Sequence, residues 1–126
     1  MIFEIVIKVR ESFYVKGRTK GIAMLPFDGE VTGPYFTGQV IGPGVDTQTI
    51  KDEQVVLSAR YMLEGVDCEG NSCRVFVENN GDFVNGFTPF IVTDSPVLQK
   101  FEDKKLRSTV EPREDVVIIK IMEAKT

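Results

Sequence analysis

The chain has 126 residues, 42% hydrophobic and 27% charged, with 15 basic against 19 acidic side chains, two cysteines and no histidine. That length predicts one domain over residues 1–126, able to bury a core without disulfide staples. Lack of histidine excludes Ser–His–acid and Cys–His nucleophile systems, His-ligated zinc and haem, and the two-histidine iron site. Two cysteines cannot build a four-cysteine cluster.

The dominant period along the chain is two. Phe3, Ile5, Ile7 and Val9 alternate with Glu4, Val6, Lys8 and Arg10, the mark of a strand with one apolar face. A strand is predicted over Thr19 to Phe27, with Pro26 as its terminus, then turns at Asp28-Gly29 and Gly33-Pro34. Tyr35 to Ile41 reads as a short strand, and Gly42-Pro43-Gly44 as a rigid open turn before Asp46. Gln54 to Val66 is the longest extended run. Val55, Leu57, Ala59, Tyr61 and Leu63 share one face, and Val56, Ser58, Arg60, Met62 and Glu64 the other. The chain then turns through Asp67 to Ser72 into Arg74–Glu78, and Asn79-Asn80-Gly81-Asp82 carries a turn signal. Phe87 to Thr93 is a further strand. Ser95 as N-cap, Pro96 at the first helical position and Val97, Leu98 and Phe101 on one face predict a short helix over 96–104, at most two to three turns. Val116 to Met122, rich in β-branched residues, closes the chain.

About eight short strands at even spacing with one short helix predict an all-β fold, a closed antiparallel β-barrel of about eight to ten strands. Closure removes exposed edges, and a lumen explains strands whose second face is mixed in character.

The run Gly29-Glu30-Val31-Thr32-Gly33-Pro34-Tyr35-Phe36-Thr37-Gly38-Gln39-Val40 followed by Pro43-Gly44-Val45-Asp46-Thr47-Gln48 resembles the domain-of-unknown-function 3237 family of small bacterial β-barrels. Leu57-Ser58-Ala59-Arg60-Tyr61, Arg74-Val75-Phe76-Val77, Asn80-Gly81, Thr88-Pro89-Phe90-Ile91 and the last strand continue the likeness over most of the chain. The resemblance implies a closed barrel, often assembled into oligomers, and brings no established reaction. Val45 stands where a second glycine is expected, and Thr47 where an aromatic is expected.

Three sets of residues are candidates for a site. Gly44, Asp46 and Gln48 are candidate ligand contacts: glycine lets backbone approach a ligand, and Asp46 and Gln48 supply an acceptor and an amide. A tight barrel corner with Asp46 capping its own turn explains the same residues. Arg60 and Glu64 share a strand face, so inside a lumen Arg60 could hold a carboxylate or enolate while Glu64 acts as base. Outside, they are a solvated face. Tyr61 lies on the opposite face as a candidate acid or oxyanion donor, and a regular strand cannot turn both Arg60 and Tyr61 inward. Glu30, Glu78 and the phenylalanines fit surface and core roles.

The functional expectation is a small-molecule-binding barrel, in its enzymatic form an isomerase or cyclase working by proton transfer without a cofactor. The alternative is a non-enzymatic homo-oligomeric assembly module with a packed barrel. Neither requires a metal or cofactor. The net charge of −4 argues against nucleic acid and anionic membrane as partners. With no basic run before the first apolar stretch and none of the ~20 residues a spanning helix needs, a cytoplasmic location is expected. Cys68 and Cys73 flank a four-residue loop and could pair or stay reduced.

Overall fold

The alternation seen in the sequence builds nine strands. In the computed structural model, which describes residues 1–125, they are β1 (Phe3–Val9), β2 (Phe13–Lys16), β3 (Gly21–Thr32), β4 (Phe36–Lys51), β5 (Gln54–Asp67), β6 (Ser72–Asp82), β7 (Gly86–Thr93), β8 (Leu106–Pro112) and β9 (Val117–Glu123). Each pairs antiparallel with its neighbours in the order β1-β9-β8-β7-β6-β5-β4-β3, and β1 returns to pair with β3, closing an eight-stranded barrel. β2 is the ninth strand and lies on the first half of β3, beyond the point where β1 leaves it.

Two apparent turns are bends inside long strands. β3 runs through Asp28-Gly29 and β4 through Gly42-Pro43-Gly44, each with a register shift, so both are bulges that curl the sheet. Gly42 has φ +94°, a conformation that side chains resist. Pro26 lies within β3 and does not end it. Its carbonyl accepts from the Arg10 N–H at 2.8 Å, so its missing donor falls where β2 hands over to β1. The signal at Asn79-Asn80-Gly81-Asp82 is also displaced. β6 continues to Asp82, and the turn is made by residues 83–85, where the Asp82 carboxylate accepts the N–H groups of Val84 and Asn85.

The expected helix is a single 3-10 turn over Gln99–Asp103. Its N-cap is Leu98, not Ser95; Ser95 and Pro96 belong to the turn just before it, where the Ser95 carbonyl accepts from the Leu98 and Gln99 N–H groups. Leu98 and Phe101 are the residues it must bury, and a spacing of three lines them up on a three-residue period. They close one end of the barrel, with Phe101 packed on Tyr35. Asp67 fastens this end: it accepts from the Ser95 hydroxyl at 2.7 Å and from the Glu69 and Asn71 N–H groups at 3.0 Å. Phe3, Ile5, Leu63, Val75, Val77 and Ile121 fill the adjoining half of the lumen with hydrocarbon. Cys68 is exposed, Cys73 buried, and both are free. Cys73 sits across from Gly65, so the two thiols do not face one another. No helix is long and apolar enough to cross a membrane among the described residues.

Candidate functional site

The other half of the barrel is not filled. A cavity of about 210 Å³ is enclosed by the first halves of β5, β7 and β9, the last halves of β1, β4, β6 and β8, and the middle of β3. One water needs about 10–15 Å³ on such a measure, so there is room for an organic molecule. Its walls are chiefly apolar: Ile7, Phe27, Leu57, Phe87, Val110 and Ile119 are representative. Phe83 lines it while 60% exposed, which puts this ring at the mouth, edge-on to Phe87 at 5.3 Å.

Strand register places the polar groups. Asp46 on β4 sits beside Ala59 on β5, and Ala59 sits beside Asn79 on β6. The small alanine thus separates two polar side chains that enter the same cavity. Gln48, one inward step from Asp46, donates its Nε2 to Asp46 Oδ2 at 3.0 Å. Asn79 donates its Nδ2 to the Ser108 hydroxyl at 2.8 Å. Asp46 Oδ1 and Asn79 Oδ1 are both buried and have no protein partner. An unpartnered buried polar atom costs about 1–3 kcal/mol, and native proteins hold few of them. Burial pushes the Asp46 carboxyl above its ordinary range, against the pull of Gln48 and the Ser58 backbone.

Tyr61 takes the inward side of β5 and Arg60 the outward side. The tyrosine is wholly buried, packs edge-on against Phe27 at 5.4 Å, and its hydroxyl also lacks a partner. Burial raises its pKa further above the phenol range, so it is a neutral hydroxyl. Arg60 and Glu64 lie on the outer wall, directly across from Glu78 and Arg74, and form a 2.9 Å ion pair with each. The charge site considered for these two residues inside a lumen is therefore not formed, because the strand is regular here and its period is two. Gly44 faces inward but serves packing: a Cβ there would come within 2.6 Å of both the Phe27 ring and Tyr61. Val45 and Thr47 face the outer groove beside Arg60, away from the cavity.

Asn79, Ser108, Phe83 and Phe87 belong to the site without having been singled out from the sequence. The signal for Asn79 was present, since Val75, Val77 and Asn79 continue one alternation. The Asn-Asn-Gly turn pattern masked it.

No protein-family profile matches the chain, and no curated protein does. Solved structures share its fold. A protein of unknown function from Clostridium acetobutylicum superposes with a TM-score of 0.80 at 23% identity, over 95% of this chain and 93% of that one. A conserved protein of unknown function from Rhodopseudomonas palustris gives 0.79 at 23% identity, over 95% and 92%. An enzyme from Penicillium herquei gives 0.72 at 16% identity, over 96% and 91%. At these identities the likeness establishes the barrel alone.

Proposed function

We propose that this barrel binds a small, largely apolar molecule in the cavity at its open end, and that Asp46 receives a hydrogen bond or a proton from it. The observation that carries this is the pair of unpartnered acceptors, Asp46 Oδ1 and Asn79 Oδ1, in an otherwise hydrocarbon-walled space. A bound donor satisfies what the folded protein leaves open. The enzymatic form of this reading is an isomerase or cyclase without a cofactor, with Asp46 as base and Gln48 holding the carboxylate in position; Tyr61, buried behind the cavity wall, does not reach its occupant. A carboxylate with a raised pKa in an apolar pocket suits proton abstraction from carbon. The fold likeness to an enzyme and the resemblance to the domain-of-unknown-function 3237 family both accommodate it.

Benzyl alcohol, an apolar ring with one donor, is the probe. Titration followed by NMR is expected to give saturable shifts at Ala59, Asn79 and Phe87, abolished in Ala59→Leu, which fills the cavity. Shifts that survive the leucine, or absence of saturation by both benzyl alcohol and benzylammonium, overturn the binding reading. The base is tested with a nitrobenzisoxazole, whose ring opens on proton loss. Opening above the buffer rate that disappears in Asp46→Asn is expected, and a rate indifferent to that substitution removes the catalytic role.

A second observation favours self-assembly alongside binding. Phe13, Val15, Met24 and Val56 lie exposed on the outer face where β2 extends the sheet. The chain exposes 7779 Å², whereas a compact monomer of its mass exposes roughly 6,700 Å². The surplus of roughly 1,100 Å² is larger than one partner's share of a standard interface, about 800 Å². Sedimentation velocity is expected to show a homo-oligomer that Phe13→Glu dissociates. A strict monomer sinks this reading.

A further inference from the structure

Resting on the binding reading above, the cavity also states the charge of its occupant. Among the described residues that line it, Asp46 is the one ionisable group, and there is no lysine or arginine. The amide nitrogens nearby are already directed at protein oxygens, Gln48 at Asp46 and Asn79 at Ser108. A carboxylate only accepts, so the Gln48 amide must present its nitrogen to Asp46, and its orientation is fixed by that requirement. The cavity-lining side-chain atoms left without any partner are both acceptors, one of them a carboxylate oxygen. Phe27, Phe83 and Phe87 add aromatic rings, whose faces attract a cation.

We infer that the cavity is selective for organic cations, an ammonium group on a compact apolar body, and rejects carboxylates and phosphates of the same shape. The ammonium donates to Asp46 Oδ1, and Asn79 Oδ1 stands ready as a second acceptor on the far side of Ala59. The apolar body fills the space between the phenylalanines. An anion meets an uncompensated carboxylate in a space shielded from water, where like charges repel far more strongly than in solvent. A neutral alcohol satisfies an acceptor without relieving the buried charge. Burial already disfavours ionised Asp46, and an opposite charge beside it restores the ionised form.

The test is an isosteric series: benzylammonium, benzyl alcohol and benzoate, titrated at neutral pH and followed by the same cavity resonances. Benzylammonium is expected to bind at least tenfold more tightly than benzyl alcohol, and benzoate to show no saturation. Asp46→Asn, which keeps the shape and removes the charge, is expected to collapse the amine-to-alcohol ratio toward one. The chain's net charge of −4 attracts any cation weakly. Two controls isolate the cavity: the preference persists at high salt, where surface attraction is screened, and persists in Glu64→Gln on the outer wall. An amine-to-alcohol ratio near one, a ratio that survives Asp46→Asn or vanishes with salt, or benzoate binding as tightly as the alcohol overturns the charge inference while leaving the binding reading intact. If neither the amine nor the alcohol saturates, both fall together.

Discussion

Asp46 carries a cost that folding alone does not recover. Its Oδ1 is buried without a partner, and its carboxyl is pushed above its ordinary range by burial. The direction of that shift fixes a pH dependence. Between the unfolded value of about 3.9 and the raised folded value, the native state holds a proton that the unfolded chain has released. Stability therefore falls as pH rises through that window, and the loss persists above it. Asp46→Asn is expected to raise stability at pH 7, by up to about 1 kcal/mol, and to change nothing at pH 3, where both forms are neutral. Denaturant titrations at the two pH values check it, and equal effects at both refute it. Other single residues explain what the sequence did and did not disclose. Asp46 and Gln48 stood out as an acceptor and an amide beside glycines, and both line the cavity. The choice between Arg60 and Tyr61 was not legible, because each face of β5 mixes apolar and polar residues. It is decided by strand β6, which offers Glu78 and Arg74 on the outer side and Val75 and Val77 on the inner one.

At the scale of elements, period two located seven of the nine strands, all but β2 and β8, and closed the argument for a barrel. It failed where bends and turns share residues. Asp28-Gly29 and Gly42-Pro43-Gly44 have turn chemistry, but a strand curled around a narrow lumen needs the same residues at its bulges. The β4–β5 hairpin shows the converse. It turns in two residues, Asp52 and Glu53, at φ 51° and 66°, with Lys51 paired to Gln54. Both central residues are thus left-handed, as the favoured hairpin turn requires, yet neither is glycine, and the sequence carries no cue for it. Asp52→Asn combined with Glu53→Gly installs the asparagine–glycine pair that such a turn favours and relieves that strain. A gain of about 1 kcal/mol is expected, visible as a higher Tm with the barrel unchanged. No gain, or a loss, would show that the acidic side chains hold the turn by contacts of their own.

The whole molecule has two unlike ends, and they divide its labour. The end holding the cavity keeps polar atoms unpartnered. At the opposite end, among the described residues, no buried side-chain oxygen or nitrogen is left unpartnered: Asp67 gathers the Ser95 hydroxyl, the Asn71 amide and two backbone N–H groups near Leu98 and Phe101. Burial opposes ionisation of Asp67, yet the bonds from Ser95, Asn71 and Glu69 together hold it below the usual carboxylate range. Its contribution is therefore present in full above the unfolded value of about 3.9 and is lost as pH falls through the lowered folded value. Cys73 reports on this end. It is buried beside the cluster, and burial together with the Asp67 and Asp94 charges pushes its thiol up, so it is doubly unreactive. Cys68, exposed in the adjoining loop, serves as the internal standard. With a dipyridyl disulfide reagent at neutral pH, Cys68 is expected to label at once and Cys73 only as fast as the molecule unfolds globally. Asp67→Ala leaves the Ser95 and Asn71 donors without their acceptor. It is expected to speed Cys73 labelling at least tenfold while hydrogen exchange in β1 and β9 stays slow, an opening of the cap with the barrel intact. The wild type is expected to reach the same state only when acid protonates Asp67. Cys73 labelling that follows global unfolding in both proteins would mean that Leu98 and Phe101 hold the cap by packing alone, with no share for the carboxylate.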